Sequence, residues 1–336
     1  MRPPPGPVLV MGAGSVGCFL GGALQGAGAE VHLVGRPRVL DALRYSGLTL
    51  TDLDGRRRHI DPIALRLHAG VPPGLAPALV LLCVKSAATG EAAAALGQAL
   101  PAGTLVVSMQ NGLGNVARAR AAAPALRMLP GMVPFNVAET GPGRWHRGSA
   151  GRLAAQEDPA LRVWQPVFAA ARLPLDLRSD LLPLQWGKLL LNLNNPVNAL
   201  SGQPLRAQLL DAGYRRVLAA LQDEALAALA AAGVRPARVG AVPPRWMPRL
   251  LRLPTPAFRA LAARMLKVDA QARSSMADDL ALGRATEIDA FCGEVLRLAQ
   301  AHGAPAPLNA RMCELLEQPR PPRLDAAALW AALHAS

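Results

Sequence analysis

A glycine-rich pattern near the amino terminus restricts what this chain can fold into more than any other feature. The pattern Gly12-Ala13-Gly14-Ser15-Val16-Gly17 directly follows the short apolar run Val8–Met11 and opens an apolar stretch that continues to about Ala27. The run Glu30–Val34 comes next. Short apolar runs are typical of buried parallel strands, so this order predicts a strand, a tight turn, a helix and a second strand.

The three glycines have separate physical roles if the loop binds a dinucleotide. Gly12 permits the tight turn, Gly14 lets the backbone approach a pyrophosphate, and Gly17 allows the helix to pack closely on the strand. The phosphates would then meet the positive end of the helix dipole. The pattern therefore predicts a Rossmann-type nucleotide-binding unit, with a glycine-rich structural loop as the alternative.

The residues after the second strand indicate which cofactor is bound. Units that prefer NAD place an Asp or Glu there for the ribose 2′-hydroxyl. This chain has Gly35-Arg36-Pro37-Arg38 instead. Two guanidinium groups can bind a 2′-phosphate, so the segment favours NADP(H), with Arg36 as a cofactor residue. Arg38 could instead face solvent.

Two further predicted strands end in polar residues. Ala78–Val84 ends at Lys85, and Thr104–Met109 runs into an Asn-Gly turn at Asn111. Ligands bind outside the carboxyl ends of strands in open parallel sheets, so both side chains are candidates for binding. Lys85 could equally be a surface lysine, and Asn111 a turn former without other function.

The stretch from Gln185 to Asn198 carries the strongest candidate for a catalytic group. Lys188, Asn192 and Asn195 are spaced i, i+4 and i+7, so one helix face would present an ammonium and two carboxamides. The surrounding leucines would bury the rest of this helix, and a polar stripe on an apolar helix is costly unless it is paired. A structural helix whose lysine reaches outward is the alternative.

The rarity of lysine adds weight to this candidate. The chain has 36 Lys+Arg, of which only Lys85, Lys188 and Lys267 are lysines. Arginine keeps its proton in proteins, whereas burial can lower the pKa of a lysine until it acts as an acid or a base. In a chain with so many arginines, a position that keeps lysine is more often one at which arginine cannot replace it, such as a site of proton transfer.

Strand patterns end at about Leu181, and helical periodicity follows. The predicted fold class is α/β, with a Rossmann-type parallel-sheet domain over residues 1–178 and an all-helical domain over residues 179–336. The clearest predicted helices of the second domain are Arg206–Ala232, Pro256–Ala281 and Ile288–His302.

A helix break is expected near Gly283. Glycine can end one helix there, and Thr286 can cap the next with Asp289 as its capping-box partner. This would place Glu287 in a first helical turn, where the helix dipole alone can explain a carboxylate. The break could also bring Ser275 and Glu287 toward one pocket, which a straight helix would hold roughly 18 Å apart.

Composition argues against several other classes of protein. Hydrophobic residues make up 51% of the chain and charged residues 18%, which excludes wholesale disorder. The net charge of +13 favours anionic ligands, but the arginines are scattered and aromatic residues make up only 4%, so no nucleic-acid partner is expected.

The four cysteines form no CxxC pair and the six histidines have no metal-site spacing. Reduced thiols, a cytoplasmic location and no metal site are expected. Seven glycines interrupt the apolar stretch Val8–Val34, so no membrane span is expected.

Five sequence blocks together resemble the ketopantoate reductase (2-dehydropantoate 2-reductase) family. The blocks are GAGSVG at Gly12–Gly17, VKS at Val84–Ser86, QNGLG at Gln110–Gly114, WGKLLLN at Trp186–Asn192 and SSMADDLALGRATEID at Ser274–Asp289. They extend over almost the whole chain. The first is shared with many dehydrogenases, but the last three are specific in this order and spacing.

The resemblance implies NADPH-dependent reduction of ketopantoate in pantothenate biosynthesis, at a site between the two domains. Lys188 would be the general acid, with Asn111 and Glu287 in the catalytic set. The predicted cofactor-binding residues are Gly12, Ala13, Gly14, Ser15, Val16, Gly17, Arg36, Lys85, Asn111 and Glu287. The predicted substrate-binding residues are Asn111, Lys188, Asn192, Asn195 and Ser275. The expected partner is a small 2-oxo acid; a homodimer remains open, because no surface patch is identifiable from sequence.

The sequence also departs from the family pattern. Family members often have one more residue between the two asparagines after the lysine, which leaves open whether Asn194 or Asn195 contacts substrate. The asparagine expected near residues 202–205 is absent, and the segment 235–252 is unusually rich in Pro and Arg. A reductase of another 2-oxo acid and a non-catalytic NADP(H)-sensing protein are therefore alternatives.

Overall fold

The chain divides into two structural units. A computed structural model describes residues 4–263, 266 and 272–335. The first unit comprises Met1–Leu181 and the second Leu182–Ser336. The boundary predicted after residue 178 falls at the end of the last strand of the first unit, a few residues earlier than the observed division.

The described residues of the first unit form twelve strands in two sheets. In chain order the strands are β1 (Val8–Met11), β2 (Val31–Val34), β3 (Leu48–Thr51), β4 (Arg57–Ile60), β5 (Arg66–His68), β6 (Leu79–Leu82), β7 (Leu105–Ser108), β8 (Arg127–Met132), β9 (Val137–Gly141), β10 (Arg144–Arg147), β11 (Leu153–Gln156) and β12 (Leu175–Arg178). The large sheet has the order β12-β11-β8-β7-β6-β1-β2-β5, and the small sheet the order β4-β3-β10-β9. All neighbours in the large sheet are parallel except β8 and β11.

Helices cover the sheets of the first unit and form the second. Those of the first unit are α1 (Ser15–Gln25), α2 (Pro37–Ser46), α3 (Thr89–Ala99), α4 (Asn115–Ala122), α5 (Pro159–Arg162) and α6 (Gln165–Ala170). Those of the second are α7 (Leu182–Asn192), α8 (Asn194–Ser201), α9 (Leu205–Leu210), α10 (Ala212–Ala231), α11 (Met247–Leu251), α12 (Thr255–Leu261), α13 (Ser275–Ala281), α14 (Cys292–Ala301), α15 (Pro307–Glu317) and α16 (Ala326–His334). Within its described residues the second unit has no strand, so the predicted fold class is confirmed. In the same described part of the chain, no helix combines the length and hydrophobicity that a membrane span requires.

The segment around Asp54-Gly55 forms a hairpin that belongs to a second sheet, which the sequence did not indicate. Strands β3 and β4 pair antiparallel, and β10 adds to β3 from a distant part of the chain. This sheet packs on α1, where two adjacent glycines allow a close approach. A Cβ at Gly21 would lie 2.8 Å from the Leu33 side chain of β2, and one at Gly22 would lie 2.2 Å from Leu48 of β3. Helix α1 is therefore enclosed by both sheets, which fixes the position of the loop before it.

Two predicted helices of the second unit are each divided by a capping side chain. The segment Arg206–Ala232 breaks at Asp211, whose carboxylate accepts from the Gly213 amide at 2.7 Å and starts α10. The prediction of one helix over Pro256–Ala281 is wrong. Ser274 has extended backbone angles, and its hydroxyl accepts from the Ala277 amide at 3.2 Å as the N-cap of α13. Residues 264–265 and 267–271 of that predicted helix lie outside the described residues.

The last predicted break is present, but its capping differs from the prediction. Gly283 has a φ of +61° just after α13, as expected for a residue that ends a helix. The predicted capping box of Thr286 and Asp289 is wrong, because the Asp289 carboxylate accepts from Arg297 at 2.6 Å. A short 3-10 turn, Ile288–Ala290, precedes α14, and Glu287 occupies the position before that turn.

Candidate active site

The glycine-rich loop has the geometry of a phosphate-binding turn. Gly12 has a φ of +112°, and a Cβ there would lie 2.6 Å from the Val84 amide nitrogen. A Cβ at Gly17 would lie 2.0 Å from the Gly12 carbonyl oxygen, whereas one at Gly14 would meet no atom within 4 Å. The fold thus requires Gly12 and Gly17 but not Gly14. Open space at Gly14, at the start of α1 with no acidic residue in its first turn, fits a pyrophosphate.

The two arginines after β2 differ in their contacts. Arg38 donates from both terminal nitrogens to the Glu139 carboxylate, each at 2.9 Å, and this hydrogen bonding raises the pKa of the guanidinium. Arg36 is exposed at the start of α2, and its guanidinium makes no ion pair with another described residue. Of the two arginines, Arg36 is therefore the better candidate to bind a 2′-phosphate.

The predicted binding residues Lys85 and Asn111 follow neighbouring strands. Strands β6 and β7 are parallel, with Leu82 opposite Ser108 in the register. Their carboxyl ends lead to the two residues, and the Ser86 hydroxyl bridges the loops by donating to the Asn111 carbonyl at 3.2 Å. Because β1 neighbours β6, the glycine-rich loop leaves the same edge of the sheet. The structure thus brings the glycine-rich loop, Lys85 and Asn111 to the same end of the parallel strands.

The polar stripe of the second unit extends over two helices. Lys188 and Asn192 are separated by one turn of α7, which ends at Asn192. After Leu193 a new helix, α8, begins, so Asn195 lies in its first turn. The prediction that all three share one helix is therefore corrected. Pro196 falls in that first turn as well, where its missing N–H costs no hydrogen bond.

The structure distinguishes the two asparagines that the sequence left open. The Asn194 side-chain oxygen accepts from the side chain of Gln208 at 3.1 Å, and Gln208 is fully buried. Asn194 is therefore part of the internal packing of the second unit. The backbone carbonyl of Asn195 accepts from the Ser274 hydroxyl at 3.2 Å, and its half-buried side chain makes no hydrogen bond to another described residue. Asn195 is the better candidate for a ligand.

Asn198 fixes the start of α13 against α8. Its side-chain oxygen accepts from the Ser274 amide at 2.9 Å, and its side-chain nitrogen donates to the Gln203 carbonyl at 2.9 Å. Asn198 is fully buried, and Ser274 is nearly so. Ser275 is exposed on the next position of the chain. Of the two adjacent serines, the first is structural and the second is available to bind a ligand.

The environment of Lys188 favours a role in proton transfer. Burial lowers its pKa from 10.5 to about 8, and the nearby charge of Glu287 opposes that change. The Pro- and Arg-rich segment 235–252 packs on α7 at the residue before the lysine, where the Ala237 amide donates to the Pro183 carbonyl at 2.8 Å. A Cβ at Gly187 would lie 2.0 Å from the Ala237 carbonyl oxygen, so only glycine permits this approach. A lysine with such a pKa is mostly protonated at neutral pH yet can release its proton.

Sequence reasoning missed the buried polar residues behind these candidates. Asn198 and Gln208 hold the loops of the second unit, and Thr89, Gln110 and Asn115 hold those of the first. Asn198, Gln208 and Asn115 each have apolar residues or glycine nearby in the sequence, which gives only a weak signal, and Gln110 is next to the more conspicuous Asn111. Their buried environment, below a tenth exposed in every case, identifies them only in the structure.

Family models match nearly the whole chain. One described as "Ketopantoate reductase PanE/ApbA" matches residues 8–159, and one described as "Ketopantoate reductase PanE/ApbA C terminal" matches residues 180–320. The 2-dehydropantoate 2-reductase of Halobacterium salinarum is 31% identical over 317 residues, which are 92% of this chain and 97% of that protein. The corresponding protein of Pyrococcus horikoshii is 24% identical over 316 residues, with 92% and 96% coverage.

Solved structures share the fold. The PanE/ApbA family ketopantoate reductase from Ralstonia eutropha JMP134 superposes with a TM-score of 0.78 at 29% identity, over 94% of this chain and 98% of that chain. A D-mandelate dehydrogenase bound to NADH and anilino(oxo)acetate has a TM-score of 0.77 at 18% identity, with the same coverage, and shows likeness of fold alone. Sequence, family models and structure agree. The chain is an oxidoreductase and belongs to the ketopantoate reductase family.

Proposed function

We propose that this protein reduces 2-dehydropantoate (ketopantoate) to pantoate with NADPH, as a step of pantothenate biosynthesis, and that Lys188 is the general acid. The observation that carries the proposal is that burial lowers the pKa of Lys188 to about 8, while the charge of Glu287 opposes that change. Its relatives include several proteins named 2-dehydropantoate 2-reductase.

The reaction requires a hydride, a proton and a cation near the substrate oxygen. Bound NADPH supplies the hydride to the 2-oxo carbon. The Lys188 ammonium stabilises the negative charge that develops on the carbonyl oxygen and then donates a proton from Nζ to it. The charge of Glu287 keeps the lysine protonated at neutral pH, because it opposes the effect of burial. The products are the 2-hydroxy acid and NADP⁺.

The remaining candidate residues bind the substrate or orient the cofactor. The carboxamides of Asn192 and Asn195 can hydrogen-bond polar groups of the substrate, and the exposed Ser275 hydroxyl can donate to its carboxylate. Asn111 can orient the nicotinamide ring, and Lys85 can contact the cofactor. Each assignment rests on the side-chain chemistry and on the family motif that the residue occupies.

A panel of 2-oxo acids tests the substrate. We expect NADPH oxidation to be fastest with ketopantoate and slow with pyruvate or phenylglyoxylate. The absorbance of NADPH measures the rate. The second candidate is a reductase of another 2-oxo acid, which is favoured by the absence of the asparagine expected near residues 202–205. Clear turnover of phenylglyoxylate without turnover of ketopantoate would establish that candidate. Tight NADPH binding without turnover of any 2-oxo acid would indicate a sensor.

Arg36 is expected to select NADPH over NADH. We predict that Arg36→Ala raises KM for NADPH by roughly 10-fold, since it removes a charge-assisted contact to the 2′-phosphate, and leaves KM for NADH nearly unchanged. Steady-state kinetics with both cofactors measure this. Arg38→Ala is the matched control, because that guanidinium is bound to Glu139 and should not alter the ratio of the two KM values. A larger effect of Arg38→Ala than of Arg36→Ala would reverse the assignment.

The oligomeric state stays a prediction. A ketopantoate reductase from Staphylococcus aureus that is described as dimeric has a similar fold at 17% identity, with a TM-score of 0.70. Likeness of fold at that identity does not extend to assembly.

A further inference from the structure

A buried network of polar side chains lies behind the loops that carry Lys85 and Asn111. The Gln110 side-chain nitrogen donates to the Val84 carbonyl at 2.9 Å and to the Thr89 hydroxyl at 2.7 Å. The Thr89 hydroxyl has a single proton, which it shares between the Ser86 carbonyl at 2.8 Å and the side-chain oxygen of Asn115 at 3.0 Å. These side chains therefore form one continuous chain of hydrogen bonds between the two loops.

Both ends of the network terminate on backbone carbonyls next to candidate binding residues. At one end is the carbonyl of Val84, which directly precedes Lys85. At the other end the Asn115 side-chain nitrogen donates to the carbonyl of Asn111 itself, at 2.5 Å. The network thus holds the main chain of each of the two loops that carry Lys85 and Asn111.

The environment of the network gives it stiffness. Thr89 is fully buried, Asn115 is 4% exposed and Gln110 is 7% exposed. In a buried environment each hydrogen bond is stronger than in water, and an orphaned partner is costly. The Gln110 side-chain oxygen is satisfied by the Ser108 hydroxyl at 2.9 Å. A change at the central hydroxyl would therefore be transmitted to both loops rather than absorbed by water.

We propose that Thr89 is a positioning residue for the nicotinamide cofactor, acting through Gln110 and Asn115 on the loops of Lys85 and Asn111. This rests on the proposed function, in which these two residues contact NADPH. No part of Thr89 itself needs to touch the cofactor. Its hydroxyl is the one atom that both amide side chains share.

Thr89→Val tests the proposal, because it removes the hydroxyl and keeps the shape of the side chain. We expect the dissociation constant of NADPH, measured by fluorescence titration, to rise roughly 10-fold, as for the loss of one or two buried hydrogen bonds at a binding site. Thr89→Ser, which restores the hydroxyl, should bring it back to within about 2-fold of wild type.

Thr104→Val is the matched control. Its hydroxyl donates to the carbonyl three residues earlier, Pro101 at 2.7 Å, which matches the part of the Thr89 interaction that is made with Ser86 at 2.8 Å, but it has no bond to the network. This control should lose a similar local bond and keep the NADPH affinity of wild type. If Thr89→Val lowered the melting temperature but left NADPH affinity at the value of this control, or if Thr89→Ser failed to restore affinity, the proposal would be wrong.

A second variant covers the case in which Thr89→Val does not fold. Gln110→Met has nearly the same shape and removes the bonds to Val84 and Thr89. Weaker NADPH binding supports the proposal, and wild-type affinity overturns it. The titration needs no 2-oxo acid, so a wild-type protein that binds NADPH but does not reduce ketopantoate would reject the substrate assignment alone.

Discussion

Replacing Lys188 by methionine should reduce kcat by roughly 10²–10⁴-fold, the usual scale for loss of a general acid. Methionine fills a similar volume, so the loss would come from the missing ammonium rather than from a cavity. Steady-state rates with saturating NADPH and ketopantoate measure the effect. Lys188→Arg separates the two contributions of the side chain, because it keeps a cation but cannot donate its proton. A near-normal kcat for either variant would contradict the role assigned to Lys188.

The same substitution should stabilise the protein at neutral pH. Burial lowers the pKa of Lys188 from 10.5 to about 8, so the folded state disfavours the charged form. The resulting cost is fully present below pH 8 and disappears as pH rises through 10.5, because only between these values does the unfolded chain hold more protons. Because the Lys188 side chain is half-buried and so keeps some contact with solvent, this cost is about 1–3 kcal/mol. Lys188→Met should therefore raise the melting temperature at pH 7, and a decrease would indicate a structural lysine.

The pH dependence of the wild-type enzyme follows from the same pKa. Since Lys188 must carry its proton to donate it, kcat/KM should fall above pH 8. Glu287→Gln removes the charge that opposes the effect of burial, so the fall should move to lower pH. A profile that is unchanged by this substitution would show that the two residues do not interact in the working enzyme.

Local sequence signals predicted the parts of the fold that depend on neighbouring residues. The turn at Gly12, the helix after it and the strands around it were all predicted from the sequence, because Gly12 and Gly17 each have a nearby steric cause. The small sheet was not predictable from such signals. Its pairing of Thr49 with Arg144 joins distant segments, and the strand Arg144–Arg147 has no clear alternation of apolar and polar residues.

In the second unit, single side chains overrode the periodic pattern. The apolar spacing over Pro256–Ala281 favoured one helix, but the Ser274 hydroxyl and the Asn198 side chain together satisfy the first amide groups of a new helix. The choice between Asn194 and Asn195 depends on Gln208, more than ten residues away in sequence. Sequence could identify the residue types of the site, whereas these partners exist only once the helices are packed.

Two alanine substitutions in the glycine-rich loop should have opposite consequences. A Cβ at Gly17 would lie 2.0 Å from the Gly12 carbonyl oxygen, a backbone atom that cannot rotate away. We expect Gly17→Ala to destabilise the first unit by roughly 1–3 kcal/mol or more, as overpacking does. Thermal or urea unfolding measures this directly. A Gly17→Ala variant as stable as wild type would mean that the loop can shift without cost.

Gly14→Ala should leave stability nearly unchanged and abolish most cofactor binding. Its Cβ would meet no protein atom within 4 Å, and its φ of −91° suits alanine. The added methyl would instead occupy the space that the pyrophosphate needs at the start of α1, where the amide groups and the helix dipole attract it. We expect the dissociation constants of NADPH and NADH to rise together by roughly 10–100-fold, since both share the pyrophosphate. If Gly14→Ala bound both cofactors as wild type does, the phosphates would have to lie elsewhere. The sequence pattern would then be a structural turn alone.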